Sequence, residues 1–367
     1  MDFIPQMEPW FGTEEKNAIC HYMDEGGWIT EFKRTLLFQN MIAQYTGAKH
    51  CVVVNNGTIS LSLAAIACGI KAGDEVIVPN YTMIATPNSI KMLGAKPVFV
   101  DVERESLCLD FVETKKAITS KTKAIMLVLA NGRYPSVGIE SFVRLAKENN
   151  IVLIEDSAQS LGSFYPDGRH QGSVGAIGSF SFSAPKIIST GQGGAVITNN
   201  DKIADKIRKL KDFGRAEGGN DVHDEIGFNF KFTELQAVIG IEQMKKLDWR
   251  VKRKKEIYRL YKKNLSAIKQ IEFFKQDLEF TTPWFIDILA EKRNELQKYL
   301  KRKGIGTRTM YPPINKQLAY QISGDFPVSN MVGEKGLWLP SASQLSDNEV
   351  IAICDTIKRF YYSNYIS

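Results

Sequence analysis

Short apolar segments rich in β-branched residues alternate with amphipathic segments over the first two thirds of the chain. Continuous apolar runs bounded by turn residues predict strands, whereas apolar residues three and four positions apart predict helices. The predicted strands are 51–55, 75–79, 97–100, 124–129 and 151–155, and the predicted helices are 57–68, 86–93 and 139–148. Strands that alternate with helices predict an α/β fold with a mainly parallel sheet covered on both faces.

Two further predicted strands, at 179–183 and 194–198, flank a glycine-rich stretch. We interpret them as a pair joined by a turn, at the antiparallel edge of a mixed sheet. After residue 247 the pattern changes to a helix at 249–268, a strand at 284–289, a helix at 293–303, a proline-containing loop at 311–313 and a helix at 347–361. These patterns predict a large α/β domain with an N-terminal arm over residues 1–247 and a smaller α+β domain over residues 248–367.

The composition limits the classes of partner. Hydrophobic residues make up 44% of the 367 residues and charged residues 24%, which is typical of a globular protein of this length. The net charge of +6 comes from scattered lysines and arginines rather than a basic block, so no nucleic-acid partner is expected. A modest preference for anionic substrates fits this charge.

Neither a metal site nor a membrane segment is expected. The five cysteines form no C-x-x-C pair and the four histidines are dispersed, which favours free thiols in a reducing compartment. The first ten residues lack the positive region of a signal peptide, and no apolar run approaches the roughly 20 residues that span a bilayer. A cytoplasmic location is the resulting expectation.

Two segments suggest a site at the carboxyl ends of strands. The segment EDSAQ (155–159) follows a predicted buried strand and puts Asp156 where α/β sheets bind ligands. A helix N-cap or a surface salt bridge is the alternative interpretation. The segment SFSFSAPK (179–186) ends in Lys186, which follows two Ser/Phe pairs. The alternative is an ordinary solvated lysine.

Two glycine-containing segments add the features of a phosphate site. The turn TGQGG (190–194) allows the backbone to approach a ligand closely, although a plain hairpin turn explains it as well. The segment NNGT (55–58) lies between a strand and a helix, where amides at the helix N-terminus and a hydroxyl form a phosphate cradle. A simple N-cap is the alternative. Together the four segments offer a lysine for a Schiff base, a carboxylate for a pyridinium nitrogen and a phosphate site, which predicts pyridoxal 5'-phosphate (PLP) as the cofactor.

The same segments resemble the DegT-type (DegT/DnrJ/StrS) sugar aminotransferases, which are PLP-dependent enzymes of the aspartate aminotransferase fold, fold type I. The resemblance extends from about residue 5 to residue 360. It is strongest in VNNGTISLSLAAIACGIKAGDEVIVP, IVLIEDSAQSLGS, GSFSFSAPKIISTGQGGAVITN, GFNFKFTELQAVIG and GIGTRTMYPP. Five motifs in the family's order are a specific match, and they imply a large domain with a seven-stranded mixed sheet.

The resemblance implies roles around the ring of the cofactor. Lys186 matches the lysine that forms the Schiff base and later shuttles a proton, and Asp156 matches the partner of the pyridine nitrogen. Gln159 matches a residue that hydrogen-bonds the O3′ atom. Met83 stands where the family often has an aromatic residue stacked on the ring, and a thioether also packs against rings.

It also implies a phosphate site shared between subunits. Gly57, Thr58 and Ser181 match phosphate-binding positions of the family. Asn229, in the segment GFNF (227–230), matches a residue that reaches the phosphate of the neighbouring subunit's cofactor. A homodimer with shared active sites is therefore implied.

The implied reaction moves an amino group from L-glutamate to a keto-deoxy sugar on a nucleoside diphosphate, in polysaccharide or glycan biosynthesis such as that of a capsule. Candidate substrate residues are Trp28, Asn131, Arg215, Arg308 and Tyr311. Core or interface packing of the aromatic residues, and surface exposure of Arg308, are the alternatives.

Departures from the family pattern keep other functions open. The loop after strand 124–129 reads ANGRY (130–134) where the family reads like HLYG, so a smaller phosphorylated ketone is a second candidate acceptor. Lys231 replaces a frequent arginine, which forms different hydrogen bonds. A dehydratase subgroup has histidine in place of Lys186, so the lysine favours amino transfer. A non-catalytic regulator that binds PLP or a sugar nucleotide is a third possibility, disfavoured by the presence of Lys186 and Asp156.

Overall fold

The structure is a computed structural model that describes residues 3–364. Its helices are α1 (Thr13–Glu25), α2 (Lys33–Thr46), α3 (Gly57–Ala67), α4 (Ala85–Lys91), α5 (Phe111–Lys116), α6 (Ile139–Glu148), α7 (Asp201–Lys211), α8 (Glu234–Lys245), α9 (Leu247–Leu265), α10 (Arg293–Arg302), α11 (Pro327–Lys335) and α12 (Asp347–Asn364). Its strands are β1 (His50–Val54), β2 (Glu75–Pro79), β3 (Lys96–Val100), β4 (Thr122–Val128), β5 (Val152–Asp156), β6 (Ile177–Ser181), β7 (Gly194–Thr198), β8 (Ile271–Phe273), β9 (Ile286–Ala290), β10 (Arg308–Thr309) and β11 (Gly336–Leu339).

Seven strands form the large sheet in the order β1-β7-β6-β5-β4-β2-β3. Strand β7 runs antiparallel to both β1 and β6, and the other neighbouring strands are parallel. This topology confirms the predicted mixed, mainly parallel sheet of the α/β fold. Strands β4 and β2 lie near the middle of the parallel part and are buried almost throughout, as continuous apolar runs predict.

One expectation about this sheet is wrong. Strands β6 and β7 are antiparallel, but they do not form the edge, because β1 pairs with the far side of β7. No tight turn joins them either: residues 182–193 leave the sheet and return, closed by hydrogen bonds from Phe182 N to Gly193 O (2.8 Å) and from Thr190 N to Phe182 O (3.0 Å). Lys186 lies in this loop, outside the sheet.

The second sheet has the order β10-β11-β9-β8 and is antiparallel throughout. Helices α9, α10 and α12 cover it and share its apolar core. Ile4, from the N-terminal arm, also packs into this core and forms a bridge with Ile305. The predicted boundary at 247/248 falls at the first residues of α9, and the division into two domains there stays a prediction.

The large sheet directs several chain segments to one edge. Strands β1, β2, β4, β5 and β6 point the same way, so the segments that follow them meet at their carboxyl ends. Helix α3 begins there, with the Oδ1 atom of Asn56 accepting a hydrogen bond from Ile59 N at 2.9 Å. Between residues 3 and 364 no helix has the length and apolar character needed to cross a membrane.

Candidate active site

A cavity of about 500 Å³ lies at the carboxyl edge of the large sheet. It brings together predicted site residues that are far apart in sequence: Gly57, Thr58, Met83, Asp156, Gln159, Ser181, Lys186, Arg308 and Tyr311. Residues outside the predicted set of site residues complete the lining, among them Thr82, Thr86, Gln192 and Trp284. The cavity therefore has a lysine, a carboxylate and a helix N-terminus within one space.

Lys186 lies in the loop that follows β6, and its amine faces the ring of Trp284 with 4.2 Å between Nζ and the ring centroid. Burial lowers the pKa of this lysine to about 8, while the nearby carboxylate of Asp156 acts in the opposite direction. An amine with such a pKa is neutral in an appreciable fraction of molecules near neutral pH. It is therefore suited to act as a nucleophile and as a proton carrier.

Asp156 is the last residue of β5 and is buried at the bottom of the cavity. Its carboxylate accepts hydrogen bonds from Thr86 Oγ1 (2.7 Å) and Ala158 N (3.2 Å). Burial raises its pKa, and these hydrogen bonds together with the charge of Lys186 oppose that rise. A cationic N–H group placed against this carboxylate would offset the cost of its burial.

The opposite end of the cavity is formed by the N-terminus of α3 and the end of β6. The first-turn N–H groups of Gly57 and Thr58 have no carbonyl partner within the helix, as at every helix N-terminus. Ser181 lies so close that a Cβ atom on Gly57 would be 2.8 Å from its Cβ and 2.9 Å from its Oγ. Only glycine allows this approach, which leaves amides and a hydroxyl available to bind an anion.

Gln159 and Asn131 form a pair at the wall of the cavity. The Oε1 atom of Gln159 accepts a hydrogen bond from Asn131 N at 2.7 Å, which leaves its amide NH₂ group to donate to a ligand. Asn131 is buried and is not among the lining residues. Its side chain pairs with the backbone of Phe285, donating to the carbonyl (2.9 Å) and accepting from the N–H (2.7 Å). The predicted substrate residue Asn131 thus lies behind the wall rather than in it.

Arg308 lies at the exposed end of the cavity, and Tyr311 lies in its wall. Arg308 is exposed, and its guanidinium is 5.5 Å from the ring centroid of Trp338. Burial raises the pKa of the Tyr311 hydroxyl well above its ordinary value, so the phenol stays protonated. These two side chains therefore add one cation and one hydrogen-bond donor to the lining of the cavity.

Three predicted site residues lie outside the cavity of their own chain. Trp28 is 65% exposed and lines a separate depression. Arg215 forms ion pairs with Asp212 (2.6 Å) and Asp221 (2.8 Å) in another. Asn229 is exposed and forms a bridge with Asp212. The single chain therefore does not bring these residues to the lysine and the carboxylate.

Two residues missed in the sequence are in direct contact with the predicted pair. Thr86 donates to Asp156, and the ring of Trp284 faces Lys186. Thr86 lies at the start of α4, the helix that follows a strand ending at the site edge, and this position was an available signal. No local signal marked Trp284, because it reaches the cavity from the segment before β9.

These groups fit PLP. The buried carboxylate of Asp156 suits a protonated ring nitrogen, the amide NH₂ group of Gln159 suits a ring oxygen, and the amides of Gly57 and Thr58 suit a phosphate. Lys186 lies in the same cavity as all of them. No group of three or more histidine, cysteine or acidic side chains within residues 3–364 is placed to hold a metal ion.

The fold and this set of groups define a PLP-dependent transferase. The model of the DegT/DnrJ/EryC1/StrS aminotransferase family matches residues 11–358, and the chain belongs to that family. The expected family, enzyme class and cofactor are thereby confirmed.

Two curated proteins and one solved structure illustrate the likeness. The chain is 38% identical to the GDP-perosamine synthase of Escherichia coli O157:H7, covering 98% of this chain and 99% of that protein. It is 31% identical to the spore coat polysaccharide biosynthesis protein SpsC of Bacillus subtilis, covering 97% and 96%. The structure of S. venezuelae DesV in complex with a ketimine intermediate superposes with a TM-score of 0.91, at 28% identity and 98% and 99% coverage.

Proposed function

We propose that this enzyme transfers the amino group of L-glutamate to the carbonyl of a GDP-linked keto-deoxy sugar in polysaccharide biosynthesis. The observation that supports it most is the cavity that combines Lys186 and Asp156 with Arg308 at its exposed end. The similarity to a GDP-perosamine synthase supports the sugar and the nucleotide. The five free cysteines suit a cytoplasmic location.

When bound, PLP supplies an electron-accepting ring that stabilises negative charge on the carbon that loses a proton. In this proposal Lys186 first holds the cofactor and then carries that proton, for which its amine must be neutral. The low pKa of about 8 that burial produces makes this possible close to neutral pH. The ring of Trp284 faces this amine, with 4.2 Å between Nζ and the ring centroid.

Asp156 would keep the ring nitrogen protonated, and Thr86 would keep Asp156 ionised through its 2.7 Å hydrogen bond. Gly57, Thr58 and Ser181 would bind the phosphate, and Gln159 would orient the ring oxygen. Met83 lines the same cavity and would pack against the ring.

The acceptor side of the proposal depends on Arg308 and Tyr311 in the lining of the cavity. Arg308 offers a positive charge for a diphosphate, and the Tyr311 hydroxyl offers a donor for a sugar oxygen. The loop 130–134 had suggested a smaller phosphorylated ketone. The side chain of Asn131 pairs with the backbone of Phe285, so packing accounts for this residue of the loop and Asn131 does not favour the smaller acceptor.

We further propose a homodimer in which each subunit completes the site of the other. Trp28, Arg215 and Asn229 lie outside the cavity of their own chain and face solvent or surface depressions. In a dimer these three residues of one subunit would contribute to the cavity of the other subunit. The exposed apolar residues around Trp28 support such an interface.

The test begins with the absorbance spectrum of the purified protein with PLP, before and after L-glutamate is added. The expected result is a visible band of lysine-bound cofactor that bleaches with glutamate alone, and that is absent in Lys186→Ala. Incubation of the bleached enzyme with a GDP-linked keto sugar should then give an aminated product by mass spectrometry. A deoxygenated product would indicate a dehydratase instead, and a stable band without any turnover would indicate a binding role.

A further inference from the structure

The indole of Trp284 is anchored to the same loop as the lysine it faces. Its ring is 3% exposed and lies 4.2 Å from Lys186 Nζ, within the range in which an ammonium group is attracted to an aromatic face. Its Nε1–H donates a 2.8 Å hydrogen bond to the carbonyl of Pro185, the residue before the lysine. The ring and the lysine therefore hold a fixed relation although they are far apart in sequence.

Contacts with Phe285 also restrict the ring of Trp284. Phe285 stacks on it with 3.8 Å between ring centroids and 20° between ring planes. The backbone of Phe285 is in turn held by both hydrogen bonds of Asn131. Trp284 thus has little freedom to rotate away from the cavity.

Helix α9 supplies a buried basic side chain, as a hydrogen-bond donor, to each partner of this contact. Lys254 is 1% exposed, and its Nζ donates to the carbonyls of Trp284 (2.8 Å) and Ser341. Arg250, one turn earlier on the helix, donates to the carbonyl of Ile187 (2.7 Å), the residue after Lys186. One face of α9 therefore holds both the tryptophan and the lysine loop.

From this arrangement we propose that the indole of Trp284 confines the Lys186 amine to one side of the cavity and shields it from water, and that Lys254 is a positioning residue acting through the Trp284 carbonyl. The inference rests on the proposed function, because it concerns the lysine that would carry the proton. A lysine side chain has many rotamers, so an amine that must return to the same carbon benefits from a fixed wall. The same wall contributes to the burial that lowers the pKa of Lys186. The attraction between the ring and the protonated amine acts in the opposite direction, and we expect burial to outweigh it because the pKa is lowered overall.

The test measures the pKa of Lys186 itself in the cofactor-free protein. Competitive acylation across a pH series, followed by mass spectrometry of the peptide that contains Lys186, gives both the pKa and the reactivity of this one amine. The variants are Trp284→Ala, Trp284→Phe and Lys254→Met. The matched controls are Trp249→Phe, a half-exposed tryptophan on α9, and Lys252→Met, an exposed lysine on α9.

In Trp284→Ala water reaches the amine, so we expect its pKa to rise from about 8 by about one pH unit. Trp284→Phe keeps an apolar cover and should lie nearer to the native value, whereas Lys254→Met should shift the pKa upward by a smaller amount. The controls should match the native protein. A folded Trp284→Ala variant with the native pKa and reactivity at Lys186 would overturn the proposal. A folded Lys254→Met variant with the native pKa and reactivity at Lys186 would overturn the positioning role of Lys254.

A second measurement separates this inference from the proposed function. Bleaching of the native holoenzyme by glutamate tests the function alone, while acylation of the cofactor-free protein needs neither cofactor nor donor. Should native enzyme ignore glutamate, the proposed function fails whatever the acylation gives. Should native enzyme respond while Trp284→Ala keeps the native pKa and half-reaction rate, only the inference about Trp284 fails.

Discussion

Lys186 and Asp156 lie in one cavity, and burial acts on them in opposite directions. It lowers the pKa of the amine and raises that of the carboxyl group, so each is pushed toward its neutral form. Such perturbed groups in a cleft are typical of active sites. The only polar partners that reach Asp156 are donors that favour its ionised form, Thr86 and Ala158, among the residues the structure describes. The site is therefore prepared for a cation at the carboxylate.

The pH dependence of the glutamate half-reaction should follow Lys186. The amine takes up a proton only when neutral, so below a pKa of about 8 we expect the rate to fall by about tenfold per pH unit, and above it to level off. Stopped-flow absorbance over a pH series measures this rate. A half-reaction that is independent of pH through this region would contradict the assignment of the proton carrier.

Thr86→Val should weaken cofactor binding through Asp156. The substitution removes the 2.7 Å hydrogen bond to the carboxylate and lets its pKa rise further. A hydrogen bond to a charged group contributes about 1.5–3 kcal/mol, so the apparent affinity for PLP should fall by about tenfold or more. Equilibrium titration of the visible band measures it. Thr86→Ser keeps the hydroxyl and should stay near the native affinity; equal losses in both variants would show that shape, not the hydrogen bond, matters.

At the scale of elements, the N-terminus of α3 depends on the absence of a side chain at Gly57. A methyl group there would lie 2.8 Å from the Cβ of Ser181, so Gly57→Ala should push β6 away and spoil the phosphate cradle. Loss of one charge-assisted hydrogen bond lowers PLP affinity by about tenfold. The control is Gly218→Ala, a glycine-to-alanine substitution at a position where the added methyl group meets open space. If Gly57→Ala bound PLP with the native affinity, the phosphate would not bind at the N-terminus of α3.

Local sequence predicted those elements whose pattern is complete within them. Strands β2 and β7 and helix α6 have the predicted bounds, and the strand before Asp156 was found because it is continuously apolar. Helix α2 was missed because Leu36 and Leu37 are exposed, which blurs its apolar stripe. Strands β8, β10 and β11 have three, two and four residues, too few to show a period.

The same limit explains the gaps in the site. Lys186, Asp156 and Gly57 were predicted because each lies in a motif that is contiguous in sequence. Trp284 was not, because its role comes from a tertiary contact with Lys186 rather than from its neighbours in the chain. Asn131 was predicted to contact the substrate, but its side chain is directed at the backbone of Phe285. Sequence patterns identify chemistry-bearing residues, and packing decides which way they face.

At the scale of the whole molecule, one surface carries a cluster of exposed apolar side chains, which is typical of an interaction surface. The side chains around the start of α2 are exposed by 65% at Trp28, 54% at Ile29, 52% at Phe32, 59% at Leu36 and 43% at Leu37. We therefore expect a particle of twice the subunit mass of 41.3 kDa by light scattering. Phe32→Glu together with Leu36→Glu should shift it to the single mass, because both charges would be buried in the interface. A monomeric native protein would exclude shared sites.

Shared sites make a sharper prediction about Asn229. It is exposed in its own chain, so its predicted phosphate contact requires a second subunit. Lys186→Ala removes the chemistry of its own cavity, and Asn229→Ala impairs the cavity of its partner. A heterodimer of the two variants then contains one cavity with both residues intact. Random mixing yields about half heterodimers with one intact site each, so activity should recover to about a quarter of the native rate.

The control for this experiment is a mixture of Lys186→Ala with Asp156→Ala. Lys186 and Asp156 of one chain line the cavity of that chain. In the heterodimer one cavity therefore lacks the lysine and the other lacks the carboxylate. Neither site is intact, and no recovery of activity is expected. Subunit exchange is verified by mass spectrometry with one variant isotopically labelled. If exchange occurs and the mixture containing Asn229→Ala recovers no more than this control, Asn229 acts within its own chain or not at all. The exposed loop between α7 and α8 would then have to serve another purpose than completing the partner's site.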